Sequence, residues 1–211
     1  MTSHPSRPSR SAGREVKEKS IFDAARSVFA ELGFRGATTA EIARRAGVPK
    51  ANLHYYFPTK EALYRAVTEE ILTTWLSAAS SFDEQDDPAQ ALAAYVGAKM
   101  DMARADPLGS RIWASEILRG APVIRDFLET TLAEWLTSRE KIIRRWIDRG
   151  QLRPVEPRYF FYLIWATTQH YADFETQITA LNQGQPLSDE QFARARAQVI
   201  DTVLRGVLVS I

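Results

Sequence analysis

The sequence contains no cysteine, only three histidines and no long apolar run. Without cysteine the chain cannot form disulfides, thiolate metal sites or a cysteine nucleophile. The longest apolar run, Tyr159 to Ala166, is far shorter than the roughly 18 residues that a membrane span needs. The Pro-, Ser- and Arg-rich beginning has no apolar stretch after it, unlike a secretory signal. These absences predict a soluble, cytoplasmic protein that does not enter a membrane.

Recognisable catalytic motifs are also absent. The sequence has no G-x-S-x-G, H-E-x-x-H, P-loop or G-x-G-x-x-G pattern. Its carboxylates are scattered over polar faces, and His4, His54 and His170 lie far apart along the chain. We therefore expect a protein that is not an enzyme and that needs no metal or other cofactor.

The formal net charge of +1 conceals an uneven distribution of charge. Residues 1–60 hold eleven Lys and Arg against five Asp and Glu, whereas residues 61–211 hold sixteen against twenty-one. Such a split indicates that one end of the chain meets a polyanion. A basic face that is merely solvated explains the same numbers.

The spacing of apolar residues predicts an all-α fold of about nine helices in two domains. Residues 1–13 lack periodicity and are expected to form a disordered arm, residues 14–60 a first domain and residues 61–211 a second. The predicted helices are 14–32, 39–46, 49–57, 60–80, 89–104, 108–118, 123–149, 158–180 and 189–210.

Residues 39–57 have the pattern of a helix-turn-helix. Thr38 and Glu41 form a capping-box pattern at the start of the first helix, and Gly47 can adopt the positive φ of a tight turn. The apolar residues expected between the two helices are Ile42, Ala43, Val48 and Leu53. An αα-hairpin inside a bundle, with Tyr55, Tyr56 and Phe57 in its core, is the other interpretation, and the basic charge favours DNA binding.

The second helix of this motif would enter a major groove. The side chains expected on its outward face are Lys50, Ala51, Asn52, His54 and Tyr55. The Asn52 amide can read an adenine edge, and Lys50 can reach a guanine or a phosphate. Side chains near helix ends that suit phosphate oxygens are those of Thr38, Thr39, Tyr56 and Lys60.

The segments TTAEIARRAGVPK (38–50) and LHYYFPTKEAL (53–63) resemble the N-terminal domain of TetR-family transcriptional regulators. The resemblance covers about residues 14–65. It implies a homodimeric regulator, in most cases a repressor, that binds a palindromic double-stranded DNA operator and holds an effector pocket in its C-terminal helices. Many members carry Tyr at position 54, whereas His54 and the form Asn-Leu-x-Tyr-Tyr-Phe are similar to the pyrimidine-utilisation (RutR-like) subgroup.

Residues 159–174 are apolar nearly all round in their first half, which predicts a buried helix. Helical spacing places Trp165 and Gln169 on one face, together with Thr168. The Gln169 amide is either bonded to another helix or directed at a ligand. A flat ring bearing C=O and N–H groups, such as uracil or thymine, could stack on Trp165 while Gln169 pairs with its edge.

Residues 164–174 and the segment from Trp113 to Gly120 resemble the C-terminal domain of the RutR-like subgroup. The resemblance implies that the effector is uracil or thymine and that the protein controls pyrimidine catabolism. The ligand-binding residues it implies are Trp75, Trp113, Trp165, Thr168, Gln169, Tyr171 and Asp173. Residues 158–180 and 189–210 are expected to form the dimer interface. The alternatives are a TetR-type regulator of a hydrophobic molecule or acyl-CoA, and a purely structural helical adaptor.

Overall fold

The computed structural model describes residues 10–78, 82 and 86–209, with side chains from residue 14 onward. Within this part of the chain there is no β-strand, and Leu152 and Leu208 form an isolated antiparallel bridge. None of the helices described is both long enough and apolar enough to cross a membrane. The predicted all-α fold class is confirmed.

The chain divides into two compact units, residues 1–69 and 70–211. The first contains α1 (Arg10–Gly36), α2 (Thr39–Ala46), α3 (Lys50–Tyr56) and the first half of α4 (Lys60–Ser77). Helix α2 has the predicted bounds, and α3 differs from its prediction only at its ends. The predicted end of α4 at residue 80 lies outside the described residues.

Helix α1 begins before the position that the sequence suggested. Residues 10–13 are helical, so the prediction of a disordered arm is wrong there, and residues 1–9 lie outside the described residues. The lack of apolar periodicity did not prevent these residues from extending the helix, because each added residue completes one more backbone hydrogen bond. At the other end Gly33 leaves the helical conformation (φ 65°, ψ 174°), as predicted, although one more turn follows it.

The boundary between the units follows Glu69 rather than Lys60, because the start of α4 packs on α1. The Tyr64 ring lies 4.8 Å from the Phe29 ring and 4.9 Å from the Phe34 ring. Tyr64 is almost fully buried. The first turns of α4 therefore belong to the core of the first unit.

The helix-turn-helix is fixed by local signals. Thr38 is the N-cap of α2, and its hydroxyl accepts a hydrogen bond from the Glu41 N–H at 3.1 Å. The second half of the predicted capping box is absent, since the Glu41 carboxylate pairs with Arg44 and Arg45 instead. Gly47 adopts φ 67° and ψ 29° in the turn. The predicted interface is confirmed by the burial of Ile42, Ala43 and Leu53, with Val48 half-buried.

The second unit begins within α4 and, in the part of the chain that the structure describes, continues through eight further named elements. They are α5 (Pro88–Ala105), α6 (Pro107–Leu118), α7 (Arg125–Phe127), a π-helical turn (Leu128–Leu132), α8 (Ala133–Asp148), α9 (Pro157–Asp173), α10 (Glu175–Leu181) and α11 (Asp189–Val207). The last helix was predicted to reach residue 210 but ends at Val207, because Leu208 is extended (φ −71°, ψ 143°) and forms the bridge with Leu152.

Two helices predicted as continuous are interrupted. In the predicted helix 123–149, the Thr130 hydroxyl bonds the Asp126 carbonyl at 2.8 Å within the π-helical turn, and such a bond competes with the backbone ladder. The predicted helix 158–180 breaks at Phe174 (φ −113°, ψ 25°), whose ring stacks on His170 with centroids 4.9 Å apart.

Helix α9 is buried on one face only, so the prediction of a fully buried helix is wrong. Phe161 and Ile164 are fully buried against α5 and α8. In contrast, Tyr159 is 68% exposed and Leu163 is 54% exposed. The sequence could not separate these faces because both are apolar.

The left-handed turn at Gly47 generates a prediction about stability. Nothing lies within 4 Å of a Cβ placed at this position, so a substitution changes only the backbone energy. We expect Gly47→Ala to lower the free energy of unfolding by about 1 kcal/mol, because a Cβ disfavours positive φ. Gly47→Asn is the matched control and should lose less, since Asn tolerates this region. Equal stability of the wild type and the alanine variant in urea titrations would contradict the turn geometry.

Candidate functional site

The outward face of α3 is open, as the helix-turn-helix pattern predicted. Lys50, Ala51, His54 and Tyr55 are exposed. Asn52 is half-buried, and on the inner side the side chain of Leu53 is fully buried. The helix therefore presents an ammonium, an amide and aromatic groups on the surface opposite its core contact.

Arg14 adds positive charge to this surface, and no sequence motif indicated its position there. Its guanidinium carbon lies 5.9 Å from the ring centroids of both Tyr55 and Tyr56. The two rings pack edge to face at 5.3 Å, and the Tyr56 hydroxyl points to the Arg14 carbonyl oxygen at 3.5 Å. The signal in the sequence was the excess of basic residues before residue 60, which did not indicate which of them lay near α3.

The side chains predicted to hold phosphates are not equally available. The Lys60 ammonium donates to the carbonyl oxygens of Phe34 and Ala37, at 2.8 and 3.0 Å, and lies over the Phe34 ring. Lys60 therefore has a structural role at the end of α1, which uses two of its three donors, and its contact with a phosphate stays a prediction. Thr38 is exposed and caps α2, while Thr39 is half-buried at the first position of that helix.

Two arginines of the basic first unit are neutralised within it. The Glu41 carboxylate accepts hydrogen bonds from Arg44 and Arg45, which lower its pKa to about 2. Arg45 also pairs with Glu31 of α1 at 2.6 Å. These bonds join α2 to α1, so the positive charge of the α3 surface comes from other residues.

The second unit contains a small pocket with an empty volume of about 340 Å³. The pocket is lined by four tryptophans, three leucines and three residues with polar groups: Trp75, Trp113, Trp135, Trp165, Leu72, Leu76, Leu132, Tyr95, Lys99 and Gln169. Trp75, Trp113, Trp165 and Gln169 were predicted ligand-binding residues, and the structure brings them together.

The indole rings of the pocket are held by mutual contacts. Trp75 and Trp113 pack edge to face at 5.5 Å, and Trp135 and Trp165 lie 6.2 Å apart. The Trp165 indole N–H donates to the Tyr95 hydroxyl at 2.8 Å, which joins α9 to α5. This bond fixes the orientation of the Trp165 ring, so its faces remain the part available for stacking.

Gln169 lies half-buried at the pocket. Its side-chain amide makes no hydrogen bond to any residue that the structure describes. Of the two possibilities left open by the sequence, a bond to another helix is therefore not the one observed. The amide offers both a donor and an acceptor to a bound molecule.

Lys99 lines the same pocket and was missed from the sequence. Its side chain is 5% exposed, and its ammonium nitrogen lies 4.3 Å from the centroid of the Trp75 ring. Burial lowers its pKa to about 8, an effect that the charge of Asp173 partly opposes. A usable signal existed, because Lys99 follows buried Tyr95 and Val96 at helical spacing and so lies on the inner face of α5.

Three predicted ligand-binding residues do not line the pocket. The buried Thr168 hydroxyl donates to the Ile164 carbonyl of its own helix at 2.8 Å. The Tyr171 ring packs against Phe192, and Asp173 accepts a hydrogen bond from the buried Ser110 hydroxyl. Helical spacing gave their approximate direction, but Thr168 bonds its own helix, and Tyr171 and Asp173 contact neighbouring helices away from the pocket. In the described part of the chain, no three histidine, aspartate or glutamate side chains come together as a metal site.

Family models match both parts of the chain. The model described as bacterial regulatory proteins, tetR family, matches residues 21–67. The model described as YcdC-like protein, C-terminal region, matches residues 68–210. The division between them lies close to the division between the two structural units.

Individual proteins are similar over nearly the whole chain. The HTH-type transcriptional regulator RutR of Escherichia coli strain K12 is 39% identical over 202 residues, which cover 96% of this chain and 93% of the relative. The solved structure of the transcriptional regulator SCO4942 from Streptomyces coelicolor is 29% identical, with a TM-score of 0.70 over 90% of this chain and 97% of that one. FadR from Bacillus subtilis in complex with stearoyl-CoA, 18% identical, has a TM-score of 0.67 over 89% of this chain and 98% of that one, and so shares the fold.

The buried Lys99 generates a prediction about pH. Below pH 8 the lysine is protonated in both the folded and unfolded chain, so its effect on stability is constant. Between pH 8 and 10.5 the unfolded chain binds the proton more tightly, so the folded state gains stability as the pH rises. We expect the wild type to gain on the order of 3 kcal/mol at most over Lys99→Met in this interval.

Urea titrations of both proteins at pH 7 to 10.5, at one protein concentration, measure this gain. Lys99→Met is the reference because it keeps the length of the side chain and all other titrating groups. A stability difference between the two proteins that does not change with pH would show that Lys99 titrates normally.

Proposed function

Since this chain belongs to the TetR family of bacterial regulatory proteins, we propose that it is an effector-controlled transcriptional regulator whose effector is a pyrimidine base, uracil or thymine. The observation that carries the proposal is the tryptophan-lined pocket with the unbonded amide of Gln169 at its wall. Its place of action is the cytoplasm, where the operator DNA and the base meet.

The chemistry of the pocket suits a flat, polar ring. Indole faces stack on planar rings, and the Gln169 amide can donate to a ring carbonyl and accept from a ring N–H. A hydrophobic drug or an acyl chain would leave Lys99 and Gln169 without partners, so the polar groups favour the pyrimidine over that alternative.

DNA reading is assigned to α3. Lys50 and Asn52 are the side chains proposed to contact bases or phosphates, with Arg14 adding positive charge beside Tyr55. In a homodimer two such helices about 34–36 Å apart would read the two halves of a palindromic operator.

The proposed dimer interface is the surface between α9 and α11. These helices border a groove with an empty volume of about 1080 Å³. Its residues are mostly apolar or uncharged and include Tyr159, Leu163, Thr167, Val199 and Val203. A second copy of both helices would cover this face in a four-helix arrangement, as the family resemblance implies.

Helix α4 offers the route from the pocket to the DNA-binding unit. Trp75 and Leu72 line the pocket, and the same helix begins at Lys60 in the first unit. A base that contacts Trp75 weakens operator binding only if it prefers the conformation of the protein that does not bind DNA. A preference of about 1.4 kcal/mol shifts the equilibrium between the two conformations tenfold. We propose that the regulator is a repressor, released from its operator in this way.

The effector proposal is tested by measuring operator affinity with and without uracil or thymine at fixed salt. We expect the base to weaken DNA binding of the wild type, and Gln169→Ala to need at least about tenfold more base, because two hydrogen bonds are lost. Gln177→Ala, an exposed glutamine on α10, is the matched control and should respond as the wild type does. An operator affinity that neither base changes would refute the pyrimidine effector.

The DNA-reading proposal is tested by the salt dependence of operator binding. Lys50→Ala should weaken binding and reduce the slope of log affinity against log salt by about one, if the ammonium holds a phosphate. Lys141→Ala removes an exposed lysine from α8 and should leave both quantities unchanged. An unchanged affinity and slope in Lys50→Ala would show that α3 is not the DNA-reading helix.

A further inference from the structure

The polar groups of the pocket are mostly hydrogen-bond donors. Lys99 contributes an ammonium, and the indole N–H of Trp135 is buried without a partner among the described residues. The Tyr95 oxygen already accepts from Trp165, which leaves its hydroxyl hydrogen to donate. Gln169 carries the only side-chain carbonyl oxygen among the lining residues. A molecule that fills the pocket must therefore supply acceptors.

Among these groups, the Lys99 ammonium would gain most from a hydrogen-bond acceptor on the ligand. Lys99 as a whole is 5% exposed, and its ammonium makes no hydrogen bond or ion pair with any residue that the structure describes. The Trp75 ring attracts the charge but accepts no conventional hydrogen bond. Asp173 attracts it from beyond ion-pair distance and accepts a hydrogen bond from Ser110. Leaving a buried charge without hydrogen bonds is costly, so a ligand oxygen at Lys99 would be strongly favoured.

We infer that Lys99 is a specificity-determining residue: it donates to an exocyclic oxygen of the effector and rejects rings that carry an amino group at that position. The inference rests on the proposed pyrimidine site and identifies the feature of the ring that the site selects. An ammonium has three donors and no acceptor, so an amino group facing it places donor against donor.

The pyrimidines divide cleanly by this criterion. Uracil and thymine carry carbonyl oxygens at both exocyclic positions flanking the imide nitrogen. Cytosine replaces one of these oxygens with an amino group, and isocytosine replaces the other. Lys99 faces one of these positions, so one of the two amino analogues is rejected at this residue, and the comparison also shows which edge of the ring it reads.

The experiment is calorimetric titration of the full-length wild type, Lys99→Met and Lys99→Gln with uracil, thymine, cytosine and isocytosine at pH 7. Methionine keeps the length of the side chain without a donor. Glutamine keeps a donor and adds an acceptor that suits an amino group. Lys141→Met on α8 is the matched control for loss of a lysine elsewhere in the same unit.

We expect the wild type to bind uracil at least about tenfold more tightly than one amino analogue, the discrimination that a charged hydrogen bond supplies. Lys99→Met should lose about tenfold or more of the uracil affinity and most of this discrimination. Lys99→Gln should recover part of the uracil affinity and bind the rejected analogue better than the wild type does. Lys141→Met should keep the wild-type ratio.

The failures of the two proposals are distinguishable. If the wild type binds none of the four bases, the proposed pyrimidine function is wrong and the inference falls with it. If the wild type binds uracil and Lys99→Met keeps the full discrimination, Lys99 only supports Trp75, and the inference alone is overturned. A loss of affinity with an unchanged ratio would also overturn it, because a structural role lowers binding of all bases alike. If Lys99→Met does not fold, the ratio in Lys99→Gln decides.

Discussion

Helix α9 carries three apolar or aromatic surfaces, and the second unit is arranged around their separation. Phe161 and Ile164 enter the core, where aromatic rings from α5 and α8 surround them. One turn after Phe161, Trp165 packs against this core and also lines the pocket, where its indole N–H donates to the Tyr95 hydroxyl. Leu163 remains on the outside of the unit. One helix thereby sets the position of the core, the pocket and the exposed groove, because its side chains project in fixed directions.

The parts of the fold that follow local rules could be predicted from the sequence. Helix α2 was predicted to the residue because a capping threonine precedes it and Gly47 supplies the left-handed turn. The interruptions at Phe174 and within residues 128–132 were not, since they depend on side-chain contacts and alternative backbone bonding that apolar periodicity does not encode. The π-helical turn changes the register of the side chains, although residues 128–132 contain no glycine or proline that would indicate a break in the helix.

The candidate sites were predictable to the extent that a residue's surroundings lie on its own helix. Trp165 and Gln169 are one turn apart, so their common direction followed from spacing. The hydrogen bonds from Lys60 to the carbonyl groups of Phe34 and Ala37 were not predicted, because these groups are distant from Lys60 in sequence. Lys99 was overlooked because lysine is rarely buried, although its helical spacing from Tyr95 and Val96 indicates the inner face of α5. The number of basic residues in the first unit also overstated the positive charge available to DNA, because Arg44 and Arg45 are paired with carboxylates inside that unit.

The positions of the tryptophans also determine which parts of the protein its intrinsic fluorescence reports on. Four of the five tryptophans line the pocket, and the fifth, Trp146, is fully buried in the core beside Phe82. The ammonium of Lys99 lies over one of the four, where a charge shifts the energy of the excited indole. Four of the five indole fluorophores of the chain therefore report on the walls of the pocket, and Trp146 reports on the core.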